Sequence, residues 1–485
     1  MASSLRETTI RGVGWSFADT LSNQGVTFLV GVVLARLLSP EEYGLIGIIT
    51  IFITVFNTIV DSGFSNALIR KNDADDIDYS TVFYSNLVVS FILSVTLFCL
   101  APNIGSFFDR PQLIPLTRVM SSIIVINAFA IIQRTILVKR IDFKTQTKCS
   151  LISSLMGGAA GIGMAVSGYG VWSLVGQQVS MQFIRSILLW SYTKWYPKMQ
   201  YSWERFWGLF GFGWKLLVSS IIETLWNQLY QVVIGKCYSP ATLGQFTRAQ
   251  QFSTICSSNL TAVVQRVSYP VLSKIQDDKS RLKAAYRRVI KTTMLFSFIL
   301  MLGMAASAKS MIQVIIGEQW LPAVPYLQII CFYMMLYPLH AINLNMLQVQ
   351  GRSDLFLKLE IAKKIVAVFP LILGVYVGVY WMLAGCVVAD LFAYYLNAYY
   401  SGPFLNYSVK EQIKDILPSL GIALLIAFPV FILSFLSISP YLLFPIQLIV
   451  GLFLAIFICE IVKLEEYREI KSIAFDYLKK IINNR

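Results

Sequence analysis

Fourteen long apolar stretches constrain this chain more than any other feature of its sequence. A helix needs about 20 predominantly apolar residues to cross the hydrocarbon core of a bilayer, which is about 30 Å thick. Charged residues make up only 14% of the 485 residues, against about 25% in ordinary soluble domains, which is too few to cover a soluble surface. The sequence therefore predicts an all-α polytopic membrane protein with about fourteen transmembrane helices. The stretches are approximately 12–37, 43–66, 79–101, 113–136, 145–166, 169–192, 208–236, 241–267, 289–309, 323–349, 356–378, 380–401, 413–436 and 441–462.

Lysine and arginine fall mainly on one side of this predicted topology, in a chain whose net charge is +14. An even number of spans places both termini on the same side. That side holds 34 of the 40 basic residues and the opposite side holds four, while Arg118 and Arg248 lie within spans. Because basic residues concentrate in short cytoplasmic loops, we expect both termini in the cytoplasm. Most of the positive charge therefore lies on the cytoplasmic face, where anionic lipid headgroups attract it. Nucleic acid is not expected as a partner.

Two short sequence blocks recur about 200 residues apart. Gly-Val-Gly-Trp at 12–15 corresponds to Gly-Phe-Gly-Trp at 211–214, and the Ser-Pro and glycine of 39–44 correspond to those of 239–244. An even number of spans separates the copies, which predicts a parallel repeat about an axis along the membrane normal. The predicted parts are an N-terminal six-helix lobe at 1–200, a C-terminal six-helix lobe at 201–402, two additional transmembrane helices at 403–463 and a cytoplasmic amphipathic tail helix at 464–485.

The predicted tail helix has apolar residues at helical spacing with Glu and Lys between them. This pattern is typical of a helix that lies in the cytoplasmic interface of the membrane. A helix that binds a partner protein is the alternative. Residues 202–210 show a similar pattern, so we expect a second interfacial helix there.

The histidine and cysteine content and the lengths of the outer loops limit which catalytic or metal sites this chain could contain. His340 is the single histidine of the sequence, so a histidine-based triad, a zinc site or a haem site is not expected, and no cofactor is predicted. The seven cysteines lack a CxxC pair and lie in or beside apolar segments. The outer connections near 102–112 and 310–322 are short, whereas a polymerase or ligase would need a large reactive outer loop. The duplication instead favours a transporter whose two lobes expose a central cavity to each side in turn.

Polar residues recur along several predicted spans at steps of three or four, which places them on one helix face. A charge at a lipid-exposed helix centre costs about 2.5–3.5 kcal/mol, so charged side chains in the spans must face protein or water. We predict that the polar faces line a cavity between the lobes. Interhelical hydrogen bonding is the alternative for any single neutral residue. The predicted lining residues are Asp19, Asn23, Glu223, Asn227, Gln231, Gln251, Asn259, His340 and Asn343.

Arginine inside a span indicates a phosphate-bearing ligand. Guanidinium forms bidentate, charge-assisted hydrogen bonds with phosphate, and Arg248 is the first candidate. Asn, Gln, Tyr and Trp nearby in the sequence suit sugar hydroxyls and rings. The acids Asp19, Glu223 and Asp390 are candidates to bind a coupling cation or proton. Pro338 predicts a kink in the span at 323–349.

Three motifs carry a resemblance to a known family. They are Gly-Val-Gly-Trp at 12–15, Leu-Ala-Arg-Leu-Leu-Ser-Pro-Glu-Glu-Tyr-Gly at 34–44, and Gln-Arg at 133–134 followed by Lys-Arg-Ile-Asp-Phe-Lys at 139–144. With them the chain resembles the polysaccharide-export branch of the MOP (multidrug/oligosaccharidyl-lipid/polysaccharide) exporter superfamily. It is similar in particular to the fourteen-span Wzx-type oligosaccharide flippases that export colanic acid and teichuronic acid.

This resemblance implies a flippase and not an enzyme. The expected substrate is an undecaprenyl-diphosphate-linked oligosaccharide, moved by alternating access across the bacterial cytoplasmic (inner) membrane for capsule, lipopolysaccharide O-antigen or exopolysaccharide biosynthesis. Membrane lipids and polysaccharide polymerase machinery are the other expected partners of a monomeric protein. In this family cationic cavity residues are thought to hold the diphosphate, and the positions implied here are Arg248, Arg118, Arg134 and Arg266. A MATE-type cation-coupled multidrug antiporter and a peptidoglycan-precursor flippase remain as alternatives.

Overall fold

The structure is a computed structural model that describes residues 24–61, 63–71, 73–350, 352–464, 467, 468 and 471. These residues form helices joined by short connections, with no β-strand among them. The first helix is α1, Gln24–Leu37. The others are α2 Pro40–Asp61, α3 Phe64–Arg70, α4 Asp76–Phe107, α5 Leu113–Met120, α6 Ser122–Lys139, α7 Phe143–Val166, α8 Trp172–Thr193, α9 Trp203–Cys237, α10 Pro240–Lys274, α11 Lys279–Ile315, α12 Ala323–Met334, α13 Tyr337–Val349, α14 Ser353–Val366, α15 Val368–Tyr376, α16 Val379–Ser401, α17 Val409–Leu433 and α18 Pro440–Ile461.

The helices confirm the predicted all-α membrane fold. Ten helical segments within the described residues are long and apolar enough to cross a membrane. Helices also occupy the other predicted spans, at α1, α8, α10 and α14–α15, but they are shorter or more polar. The count of fourteen spans and the parallel repeat therefore stay predictions.

The first compact unit of the chain ends at Gly244. Within it α7 and α8 form a closely packed hairpin. A Cβ atom at Gly157 would lie 2.8 Å from the Cα of Met181, and one at Gly161 would lie 2.7 Å from the Cβ of Gln177. Small residues are favoured at such positions because helices in lipid associate through close van der Waals packing.

The beginnings of α2 and α10 cross at the two glycines of the repeated block. A Cβ atom at Gly44 would overlap the carbonyl oxygen of Pro240, and a Cβ atom at Gly244 would overlap the carbonyl oxygen of Pro40. Each helix begins at its proline, which suits the first helical position because that N–H has no partner within the helix. The two copies of the block thus pack against each other reciprocally, and glycine permits the close backbone approach.

The second compact unit begins at Gln245 and is organised around α11. The buried face of α11 includes Tyr286, Ile290 and Phe298, which recur at multiples of four residues. Helices α17 and α18 pack on α11 and on each other. Gln447 of α18 accepts a hydrogen bond from Ser310 of α11, so the last two spans are tied to this unit. The division into lobes at residues 200 and 402 stays a prediction.

Two sequence expectations about single segments can be compared with the structure. Residues 202–210 do not form a separate interfacial helix, because α9 runs without a break for 35 residues from its N-cap at Ser202. A helix of that length is about 52 Å long, so part of α9 extends beyond the hydrocarbon core. The kink near Pro338 is confirmed, because the span breaks between Met334 and Tyr337. The predicted tail helix lies almost wholly outside the described residues.

Candidate functional site

Arg248 is half-buried on α10, a long helix that is rich in polar residues. Its Nη1 donates a hydrogen bond to Oε1 of Gln251, three residues further along the same helix face. The guanidinium carbon lies 5.9 Å from the centroid of the Trp320 ring, within range of a cation–π interaction. Asn259 continues the polar series on α10 and donates to the carbonyl oxygen of Ile255. The arrangement presents a positive charge beside amide and aromatic groups.

The other three arginines of the predicted diphosphate site are exposed and lie apart from Arg248 in the sequence. Arg118 of α5 covers the ring of Phe98 at 5.0 Å, as a snorkelling side chain does. Arg134 lies on α6. Arg266 is on α10, but its position is 18 residues from Arg248, or about 27 Å along the helix. Arg248 is the half-buried member of this set of four arginines, so it remains the first candidate for the contact with phosphate.

The polar series on α9 includes Glu223, Asn227 and Gln231. Glu223 and Asn227 are exposed and Gln231 is half-buried. The neighbouring Thr224 hydroxyl lies 3.2 Å from the Thr58 hydroxyl of α2, so the adjacent face of α9 makes the packing contact. The role of Glu223, Asn227 and Gln231 as cavity lining stays a prediction.

His340 and Asp390, which the sequence assigned to different roles, come together in the second unit. Nε2 of His340 on α13 lies 3.1 Å from Oδ1 of Asp390 on α16, and both side chains are mostly buried. Nδ2 of Asn397 lies 3.0 Å from Nδ1 of His340, so the imidazole contacts α16 through both of its ring nitrogens. Oδ2 of Asp390 is buried and has no hydrogen-bond partner among the described residues.

Asn343 is one helical turn from His340 but has a different environment. Its side chain is fully buried. Oδ1 accepts hydrogen bonds from the hydroxyl of Tyr286 on α11, from Oγ of Ser401 at 3.1 Å and from Nε2 of Gln412 at 3.3 Å. Because these bonds join four helices, the geometry favours the interhelical alternative for Asn343 over a position on the cavity wall.

The sequence reasoning did not identify a second polar cluster, between α11 and the beginning of α17. Arg287 donates from Nε and Nη2 to both carboxylate oxygens of Asp415, each at 2.7 Å. The Tyr407 hydroxyl donates to Asp415 Oδ2 at 2.6 Å. Because 128 residues separate Arg287 from Asp415, no local pattern of spacing could have indicated the pair.

Near the beginning of α4, a group of acids pairs with basic residues of the first unit. Asp75 caps α4 and forms a capping box with Asp78. The Arg205 guanidinium on α9 donates to Asp75 and holds the pKa of that carboxyl well below its usual range. Arg205 also lies 3.3 Å from Asp78, which pairs with Lys71 at 2.7 Å. The sequence reasoning used these bases only to assign the cytoplasmic side.

Asp19 and Asn23, which were predicted to line the cavity, lie outside the described residues. Within the part of the chain that the structure describes, no group of three or more His, Cys, Asp or Glu side chains could hold a metal ion.

The helical fold is shared with membrane proteins of known structure. It is similar to the solved structure of the lipid II flippase MurJ in an inward closed conformation, with a TM-score of 0.72 and 17% sequence identity, over 94% of this chain and 99% of that one. An inward-facing multidrug resistance MATE family transporter of the MOP superfamily is also similar, with a TM-score of 0.57 and 18% identity, over 80% of this chain and 96% of that one. The chain thus shares the fold of these proteins and, with ten apolar helices among its described residues, is a multi-pass membrane protein.

Residues 33–325 match a family described as polysaccharide biosynthesis protein, and the chain belongs to this family. The succinoglycan biosynthesis transport protein ExoT of Rhizobium meliloti is 26% identical over 66% of this chain and 65% of that protein. The teichuronic acid biosynthesis protein TuaB of Bacillus subtilis is 29% identical over 62% of this chain and 63% of that protein. The lipopolysaccharide biosynthesis protein WzxC of Escherichia coli is 24% identical over 76% of each. The chain therefore spans just under two thirds of the length of the first two relatives.

Proposed function

We propose that this protein is a flippase that moves undecaprenyl-diphosphate-linked oligosaccharide repeat units across the bacterial cytoplasmic membrane by alternating access. Both termini lie in the cytoplasm, and the product feeds capsule, O-antigen or exopolysaccharide synthesis. Membership of the polysaccharide biosynthesis family supports the cargo class. Likeness to the MurJ structure supports a fold able to transport a lipid-linked substrate.

Arg248 is the observation that carries this proposal. A half-buried guanidinium on a helix that occupies a predicted span is costly unless it has a polar ligand or water to contact. The contacts with Gln251 and Trp320 orient the guanidinium, a group that forms charge-assisted hydrogen bonds with phosphate. In this proposal Arg248 binds the diphosphate, and Gln251 and Asn259 bind sugar hydroxyls. Within the first unit, Glu223, Asn227 and Gln231 present a polar face of α9.

His340 and Asp390 supply the site for a coupling cation or proton in this mechanism. Oδ2 of Asp390, which has no hydrogen-bond partner among the described residues, can bind a proton or a cation, and the imidazole of His340 lies beside the other carboxylate oxygen. Binding at this pair would alter the hydrogen bonds between α13 and α16. Because that change would favour one of the two alternating-access states over the other, it would couple their interconversion to an ion gradient.

The two alternative functions differ from this one in cargo. A multidrug antiporter with this fold would use the acids Glu223 and Asp390 but has no need of Arg248. Residues 33–325 match a polysaccharide biosynthesis family, which favours the lipid-linked oligosaccharide. A peptidoglycan-precursor flippase would also bind a diphosphate, so only a direct comparison of cargoes separates it.

Flipping by purified protein in liposomes tests the proposal. The probe is a fluorescent undecaprenyl-diphosphate-linked oligosaccharide, and a membrane-impermeant quencher reports the fraction in the outer leaflet. We expect Arg248→Gln to slow flipping at least about tenfold, because a charge-assisted bond is worth roughly 1.5–3 kcal/mol. Arg248→Lys keeps the charge but loses bidentate geometry, so an intermediate rate is expected.

Arg281→Gln is the matched control, because Arg281 is an exposed arginine at the beginning of α11. Its rate should equal that of the wild type. If the wild-type protein flips none of the probe above empty liposomes, or if Arg248→Gln flips it at the wild-type rate, the proposed mechanism is wrong.

A further inference from the structure

A cavity of about 590 Å³ lies between the end of α3 and the beginning of α9, within the first unit. Its wall includes Arg70 and Lys71 from the α3 side and Glu204, Arg205, Gly208 and Phe212 from α9. Gly63 permits the close approach of these helices, since a Cβ atom there would lie 2.5 Å from the carbonyl oxygen of Gly213. The cavity thus combines three cations with one acid, in a part of the protein to which no role has been assigned above.

The three cations differ in what compensates their charge. Lys71 pairs with the buried Asp78, and Arg205 pairs with Asp75 and Asp78. The guanidinium of Arg70 lies over the ring of Phe212, 4.5 Å from its centroid. Among the residues that the structure describes, no acid pairs with Arg70. Its charge is therefore the one at this cavity that a ligand could neutralise.

Phe212 prepares Arg70 to bind a phosphate. An arginine held over an aromatic ring interacts with the ring face through its charge and can still use its N–H groups in hydrogen bonds. The edges of the planar guanidinium match two oxygens of a phosphate, and less side-chain entropy is lost on binding because the orientation is already fixed. Lys71 and Arg205 lie at the same wall, each held in place by its acid partners.

Aromatic residues indicate that the cavity lies at the level of lipid headgroups. Trp203 and Trp207 flank the cavity residues of α9 and have exposed fractions of 65% and 60%. Tyr196 and Tyr201, just before α9, are exposed as well. Exposed tryptophan and tyrosine concentrate at the membrane–water interface. The basic residues beside them belong to the predicted cytoplasmic side.

We propose that this cavity binds the phosphate of a lipid headgroup, with Arg70 as the bidentate contact and Phe212 as the platform that orients it. The headgroup we assign is the diphosphate of the lipid-linked oligosaccharide before it reaches Arg248, and this assignment rests on the proposed function. An anionic phospholipid is the other source of the same chemistry. In either case the α3–α9 cavity is a phosphate site at the membrane surface, separate in sequence and helix from Arg248.

Binding titrations in a neutral detergent test this proposal, on the full-length protein in an Arg248→Gln background so that the proposed site at Arg248 does not contribute. The two probes are undecaprenyl diphosphate and phosphatidylglycerol. Arg70→Gln should weaken binding of undecaprenyl diphosphate at least about tenfold, and Phe212→Leu should weaken it about threefold. Arg352→Gln is the matched control, because Arg352 also lies over a phenylalanine, Phe404, but donates to both oxygens of Asp354. Thermal unfolding checks that each variant is folded, and Arg70→Lys replaces Arg70→Gln if that variant is not.

The outcomes separate the two headgroup sources and the two proposals. Weaker binding of undecaprenyl diphosphate alone supports the substrate as the occupant, whereas an equal loss for both probes supports a phosphate site that also takes phospholipid. Affinity for both probes equal to that of the Arg248→Gln background in folded Arg70 and Phe212 variants would overturn the site. Arg70-dependent binding in that background, together with wild-type protein that does not flip the fluorescent oligosaccharide, would overturn the proposed function and leave this site standing.

Discussion

At the scale of single residues, the polar groups of the second unit divide into two kinds. Asn343 has all the acceptor bonds that its Oδ1 can use, whereas Asp390 keeps an oxygen without a partner among the described residues. The three hydrogen bonds that Oδ1 of Asn343 accepts stabilise the helix packing around it. A buried carboxylate oxygen without a partner is costly, and a bound proton or cation would remove that cost. The first kind is suited to structure and the second to ion binding.

Removal of the Asn343 side chain should destabilise the protein. Asn343→Leu leaves donors from Tyr286, Ser401 and Gln412 without their acceptor, and we expect a loss of about 2 kcal/mol in the free energy of unfolding. Unfolding in mixed detergent micelles measures the change. Asn103→Leu, at an exposed position near the end of α4, is the control and should change the free energy by less than about 0.5 kcal/mol. Equal stability of the two variants would show that the buried bonds contribute little.

The Asp390 and His340 pair should link flipping to an ion gradient. We expect Asp390→Asn and His340→Gln each to remove the dependence of the flipping rate on a pH or sodium gradient across the liposome, because each replaces one titratable partner. Asp354→Asn is the control, since Asp354 is exposed and bonded to Arg352 at the beginning of α14. Gradient dependence that survives in both test variants would exclude this pair as the coupling site.

At the scale of helices, glycine positions decide how closely the elements approach. The first unit contains helix glycines of two kinds: those such as Gly44, where a side chain would overlap a neighbouring backbone, and those such as Gly163, where a Cβ atom would meet nothing within 4 Å. The two kinds look alike in the sequence. Their contrast makes α2 and α7 suitable for a paired test of helix packing.

Gly44→Ala should destabilise the crossing of α2 and α10. The added Cβ would overlap the Pro240 carbonyl group, which belongs to backbone and cannot rotate away, so we expect a loss of about 1–3 kcal/mol. Gly163→Ala in α7 should leave stability unchanged or raise it by about 0.5–1 kcal/mol, because alanine favours the helix and space is open. Thermal unfolding in detergent compares the two. A Gly44→Ala protein as stable as the wild type would mean that the helices cross less closely.

At the scale of the whole molecule, the distribution of charge sets the topology. A 34 to 4 division of lysine and arginine between the two sides predicts cytoplasmic termini. In that topology the end of α9 faces the outside and the beginning of α11 faces the cytoplasm. Each end has an exposed position suitable for a thiol probe, Cys237 and Arg281.

Thiol labelling of protoplasts tests this orientation. A membrane-impermeant maleimide should label native Cys237 without permeabilisation. In a Cys237→Ser background, Arg281→Cys should be labelled only after permeabilisation, and Cys237→Ser alone is the control for the other cysteines. The reverse pattern would contradict the predicted topology.

The sequence by itself determined the membrane class, the helical segments and the family resemblance, because these follow from local hydropathy and short motifs. It also identified Arg248 and Asp390, since a charge in an apolar stretch is conspicuous without any partner. Only the tertiary structure joined His340 to Asp390 and placed Phe212 under Arg70, because the members of each pair are distant in sequence. The tertiary structure also showed that Asn343 is bonded to side chains of three other helices, which favours a role in helix packing over a position on the cavity wall. The local sequence pattern predicts where each helix forms and which of its faces is polar. Contacts between side chains of different helices depend on the three-dimensional packing of the helices.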